Sequence, residues 1–155
     1  MRQLAISLFL VLKSILIVGQ SDVKLVQIKE NSFIEISQET LIKFLNQTMD
    51  EWVDLMKENG YTEMDNSDGI VIYSKGEIGK QIQAIAKNRL GLITVDWIDS
   101  VDKIRMTKEI EKKVENLFFT KMENISYYIY YEYIIGLELT QENDYTFERI
   151  YIKRK

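Results

Sequence analysis

Histidine, cysteine and proline are all absent from this 155-residue chain. Without histidine there is no imidazole to act as general base, as a common metal ligand, or as a charge switch near neutral pH. Without cysteine there is no disulfide framework and no thiolate. The thiolate and imidazole donors that hold zinc, copper and iron are thus missing together. No metal site and no cofactor are expected, and enzymatic chemistry, left to carboxylates, is the less favoured expectation. Nor can a lipid be attached through a thioether.

What is present is acidic, with 20 basic and 24 acidic side chains and a formal charge of −4. Met1 to Gln20 reads as a signal peptide. Arg2 supplies the positive start, Leu4 to Leu12 is apolar apart from Ser7, and Gly19 is the small residue near a cleavage point. Lys13 interrupts the run, which is too short for a spanning helix of roughly 20 apolar residues. The expected organisation is a signal peptide over residues 1–20 and one domain over residues 21–155. Losing the leader removes Arg2 and Lys13 and no acid, so the charge moves from −4 to −6. A domain that acidic lacks the basic face a nucleic-acid partner needs. Lys153-Arg154-Lys155 is a short, solvated end. A secreted eukaryotic domain would more often carry disulfides. The expected location is therefore the periplasm or exterior of a bacterium, with no stable membrane insertion once the leader is gone.

The stretch from Ser126 to Thr140 organises the fold expectation. Its odd positions, Tyr127, Ile129, Tyr131, Tyr133, Ile135, Leu137 and Leu139, are all apolar or aromatic. Its even positions include Tyr128, Tyr130, Glu132 and Glu138. A period of two marks a strand with one face on a core, and Gly136 suggests a bulge or bend in so long a run. Burying Glu132 and Glu138 would be costly. The odd face is therefore expected inside and the even face outside. That makes Tyr128 and Tyr130 the candidate binding residues, since exposed tyrosine is favoured at interfaces.

Leu41, Leu45, Met49, Trp52 and Met56 follow a helical rhythm, capped by Ser37 and stopped by Asn59-Gly60. Trp52 and Met56 are expected in the core. Asp65 to Gly69 reads as a turn cluster. Strands are expected at Ile70–Ser74, Lys80–Lys87 and Gly91–Ile98. On the second, Ile82, Ala84 and Ala86 share one face, and Gln81, Gln83 and Lys87 the other; the small alanines would admit a helix closely. A second helix is expected from near Asp99-Ser100 to about Phe119, with Met106, Ile110, Val114 and Leu117 as its apolar stripe. A last strand covers Tyr145–Lys153. Residues 21–36 read as a marginal hairpin or extended lead-in. The expected fold is α+β: an antiparallel sheet of about five strands with two helices on one face, in the order α-β-β-β-α-β-β.

Few motifs carry chemistry. Ser74 to Gln81 is loosely similar to a phosphate loop, but Ser74 replaces the first glycine and Gln81 the magnesium-holding hydroxyl. Asp65 to Gly69 is loosely similar to a calcium loop, but Met64 and Lys75 fall at its end ligand positions. Asp96 with Asp99, and Glu132 with Glu138, are carboxylate pairs of the kind a glycoside hydrolase uses when they converge. The serines have no histidine partner and no nucleophile elbow.

The leader ending in Gly19-Gln20, the Trp52 helix ending Glu58-Asn59-Gly60-Tyr61, and Val71-Ile72-Tyr73-Ser74-Lys75-Gly76 resemble small exported proteins of Bacteroidetes-type bacteria, over about residues 41–76. The resemblance implies no activity and no functional residue. The function expected from the residues is non-enzymatic binding of a protein or cell-envelope component. The alternative is a carrier of a small apolar ligand between sheet and helices; a carboxylate-based hydrolase comes third.

Overall fold

The structure is a computed structural model that describes residues 23–28, 30–77, 80–99, 108–142 and 145–155. The leader read over residues 1–20, Ser100 and Met106 lie outside the described residues.

The fold is α+β with an antiparallel sheet, but the expected five strands and two helices are corrected. The described residues form ten strands and three short helices. A hairpin of β1 (Leu25–Ile28) and β2 (Asn31–Ile34) comes first. Helices α1 (Gln38–Asn46) and α2 (Met49–Glu58) follow. Strands β3 (Thr62–Ser67), β4 (Ile70–Gly76), β5 (Gln81–Asn88) and β6 (Ile93–Asp99) make one meander. Helix α3 (Lys108–Val114) and a 3-10 turn (Glu115–Leu117) lead to the second. It comprises β7 (Phe118–Met122), β8 (Ile125–Tyr130), β9 (Tyr133–Glu142) and β10 (Tyr145–Arg154). The last strands of the two meanders pair, giving one eight-stranded antiparallel sheet in the order β3-β4-β5-β6-β10-β9-β8-β7.

Each correction has a local cause. The single helix expected over Ser37–Glu58 is two. Thr48 is extended and caps α2, its hydroxyl accepting from Glu51 N–H while Glu51 accepts from Thr48 N–H. This capping box restarts the helix and changes its direction. The stop at Asn59-Gly60 is as read. Gly60 takes φ 75°, and Tyr61 N–H donates to the Met56 carbonyl at 3.0 Å.

The turn cluster at Asp65 narrows to Asp68-Gly69. Both have positive φ, 52° and 76°, as a two-residue hairpin turn requires. Asp65 itself lies inside β3, paired with Ile72.

The long tyrosine strand is two strands joined at Tyr131-Glu132, with Tyr130 paired to Tyr133. A two-residue turn puts residues three apart on the same face, so the inward parity switches from even to odd. Tyr128 and Tyr133 are both buried, while Tyr131 is 80% exposed. The expected inward odd face therefore holds for β9 and is inverted for β8. Gly136 is no bulge: it pairs in register with Tyr127 on one side and Tyr151 on the other.

The second helix, expected to reach Phe119, ends at Val114 because 118–122 pairs with β8. Ile110 and Val114 are fully buried as expected, whereas Leu117 is exposed.

All three helices lie on one side of the sheet. Leu41, Phe44, Trp52 and Met56 are fully buried in a core with Tyr73, Ile85, Ile93, Ile135 and Ile150. Trp52 meets Tyr73 edge-to-face at 5.7 Å. The hairpin covers a separate corner, where Phe33 packs edge-on to Trp97 at 4.8 Å.

Candidate functional site

The helix-covered face of β5 is unexpectedly polar. Gln83 is fully buried and Lys87 nearly so. Each is satisfied by a main-chain carbonyl. Gln83 Nε2 donates to Ile34 O at 2.9 Å, and Lys87 Nζ donates to Phe44 O at 2.6 Å and Gln47 O at 2.5 Å. Tyr61 completes the Gln83 cluster, accepting from Ile34 N–H at 2.9 Å and donating to Gln83 Oε1. Burial raises its phenol pKa well above the ordinary tyrosine range. Lys75, on the same face, donates to Asn59 O at 2.8 Å. Lys87 and Lys75 thus close the C-terminal ends of α1 and α2, where a cation suits the helix dipole. Burial lowers both lysine pKa values.

Apart from Ile85, which lies in the core, the alternation of β5 turns its apolar side chains the other way. Ile82, Ala84 and Ala86 point to the face that none of the described helices covers, so among the described residues the expectation that the alanines admit a helix is corrected. Registry extends the uncovered surface across neighbouring strands. Ser74, Ala84, Asp96, Arg149, Glu138 and Ile125 form one row. Ile72, Ala86, Thr94, Tyr151, Gly136 and Tyr127 form the next. Described positions in these rows are half-buried by their neighbours, with Gly136 buried.

A polar group stands at the middle of this face. Arg149 grips Asp96 with two bonds, Nε to Oδ1 at 2.5 Å and Nη2 to Oδ2 at 2.9 Å. Its Nη1 reaches Tyr151 OH at 3.4 Å, and that hydroxyl donates to Glu138 Oε2 at 3.3 Å. Phe147 and Tyr151 flank the guanidinium, their ring centres 4.9 and 5.9 Å away. The Asp96 bonds raise the Arg149 pKa, and burial raises that of Tyr151. The guanidinium is held by the Asp96 carboxylate, and Tyr151 links it to the Glu138 carboxylate. It is a hydrogen-bonded group on a face of mixed apolar and polar side chains.

The structure places Tyr128 in the core, edge-on to Phe118 at 5.9 Å. Tyr130 packs partly buried against the same core and edge-on to Tyr131 at 4.7 Å. Both stand on the helix-covered side of β8, away from the open face. Of the carboxylate pairs, Asp96 is bound by Arg149, and the Asp99 side chain is outside what is described. Glu132 sits in the β8–β9 turn, 3.7 Å from Arg154, six positions before Glu138. That is roughly 20 Å of extended chain. Among the described residues no cluster of three or more acidic, histidine or cysteine side chains could hold a metal ion. Between sheet and helices, Phe44, Trp52, Met56 and Tyr73 are fully buried.

No protein-family model, curated protein or solved structure matches the chain. No described helix is long and apolar enough to cross a membrane.

Proposed function

We propose that this chain is a non-enzymatic binding domain of the bacterial periplasm or exterior, and that a protein partner in the envelope covers the open face of its sheet. The observation that carries the reading is the inverted polarity of β5. A strand that turns Gln83 and Lys87 inward and Ile82, Ala84 and Ala86 outward leaves apolar surface in water. Apolar surface kept outside marks an interaction site. The small side chains of Ala84, Ala86 and Thr94 permit close approach, and the Asp96–Arg149 pair fixes orientation within the patch. The acidic composition and the leader-like start support an envelope setting over a nucleic-acid partner.

Hydroxyl-radical footprinting of the protein in intact producing cells, against the purified protein, tests this. Tyr127, Phe147 and Tyr151 should be protected in the cell, while Tyr131 and Leu90, exposed elsewhere, keep their reactivity. Equal reactivity of both sets in cells and in solution overturns the reading.

A further inference from the structure

The two edges of the sheet, unpaired among the described residues, differ in character. At β7, Phe118, Phe119 and Met122 are 54%, 65% and 63% exposed, and Leu117 just before them is exposed too. The one charged side chain within the strand is the exposed Lys121, and the exposed Glu115 and Glu123 flank it along the chain. At β3, all six residues are exposed, with Glu63 and Asp65 acidic and Met64 the single large apolar side chain. One edge is apolar with a single lysine within it, and the other is acidic. Each presents a row of main-chain groups that an added strand can pair.

The sheet has eight strands, all antiparallel. With an even number, the two edges run in opposite directions. A second copy displaced sideways therefore lays its β3 antiparallel to β7, with its helices on the same side. We propose that a second copy of this chain is the occupant of the β7 edge, docked head to tail through β3.

The faces match in one register. Lys121 pairs with Ser126 and Glu63 with Tyr73, which puts both on the helix-covered side. Thr120 pairs with Tyr127 and Asp65 with Ile72, which puts both on the open side. Setting Lys121 against Glu63 of the second copy then brings Thr120 to Asp65 and Met122 to Thr62, face for face. Met64 of the second copy takes up the irregularity that β3 already carries between Glu63 and Asp65. Such a contact uses different surfaces on the two copies, so it does not stop at a dimer and adds copies in a row, as a filament or a larger ring. It leaves the open face of each copy free.

Sedimentation of the purified protein over a wide concentration range tests the proposal. The average mass should rise with concentration and pass the dimer without a plateau. Lys121→Glu and Glu63→Lys should each weaken association by about tenfold or more, because each sets like charges opposite one another. The double variant should restore it. Asp65→Lys, which leaves the Tyr73–Glu63 bond in place, should weaken it as well and guards against a folding defect in Glu63→Lys. Wild-type protein that stays monomeric throughout overturns the proposal. So does association that neither β3 variant changes, the behaviour of β7 pairing with itself. Footprinting of the open face reads a separate surface, so the two tests fail independently.

Discussion

The ammonium of Lys87 reaches from near the C-terminal end of β5 to the carbonyl of Phe44, 2.6 Å away, and closes the end of α1. The same group holds Gln47 O at 2.5 Å, where the chain turns extended toward Thr48. One side chain thus fixes both the position of α1 and the break between α1 and α2.

Lys87→Met keeps the apolar stem and removes the donor. It leaves the two carbonyls without that partner, so the expected loss is about 2–3 kcal/mol by equilibrium denaturation. Lys75→Met, at the more open end of α2, should cost about 1 kcal/mol. Equal and negligible losses would mean that water replaces both caps.

The same lysines and the buried tyrosines shape the alkaline limb of stability with opposite signs. Burial lowers the Lys87 and Lys75 pKa values from 10.5. Below 10.5 the unfolded chain then holds more protons than the folded one, and stability rises with pH in that window. Burial pushes the Tyr73 phenol up to about 12 from 10.0, helped by the hydrogen bond it donates to Glu63 at 2.9 Å. Tyr61 moves the same way. Above 10 the unfolded tyrosines ionise while the folded ones stay neutral, so stability falls. Urea denaturation across pH should show a climb that turns over near pH 10. Tyr73→Phe should flatten the descent between pH 10 and 12, and Lys87→Met the climb, each by at most about 1.4 kcal/mol per pH unit.

The elements legible in the sequence were those specified by neighbours along the chain. The Trp52 stripe, its Gly60 stop and the 70–98 strands are of this kind. The α1–α2 break was also written locally, in Thr48-Met49-Asp50-Glu51, beneath a continuing apolar rhythm. The β8–β9 turn was not, because Tyr131-Glu132 carries no glycine or asparagine. Strand β3 has no apolar face to give it a period. The open face was legible in its alternation but not in its sign. Gln83 and Lys87 are stabilised inside by carbonyls 49 and 43 residues away, and no local pattern announces them. Tyr128 and Tyr130 were misplaced for the reason that hid the turn.

Gly136 lies beneath a pair of tyrosines. A Cβ there would stand 3.1 Å from Ile125 Cγ2 and Tyr127 Cε1, and 3.3 Å from Tyr151 Cδ2. Gly136→Ala should cost about 1–3 kcal/mol through overpacking. It should also shift Tyr151 and thereby disturb the Arg149–Tyr151–Glu138 chain. Tyrosine fluorescence and denaturation midpoints of the variant check this. A neutral substitution would mean that the rings swing away freely and do not form a fixed surface.

Tyr131 supplies the sharpest contrast between the two readings of the tyrosine run. A continuous strand with odd residues inward would make Tyr131→Ala cost several kcal/mol, and Tyr128→Ala little. The observed turn reverses the order. Tyr131 holds φ at 51°, a region that a bulky side chain occupies at a cost of order 1–3 kcal/mol. Its ring is exposed and touches Tyr130 edge-on. Glycine adopts this φ without strain but loses about 0.5–1 kcal/mol more chain entropy on folding. Tyr131→Gly should therefore be neutral to stabilising, by up to about 1 kcal/mol. Tyr131→Val should be destabilising, since a β-branched residue tolerates positive φ worst. Tyr128→Ala removes a buried ring packed on Phe118 and should cost about 3–5 kcal/mol. Denaturation of the four proteins, wild type included, ranks them. If Tyr131→Gly is clearly less stable than wild type while Tyr128→Ala is not, the strand runs through position 131 and the turn is wrong. The inward parity of β8 would then be wrong with it.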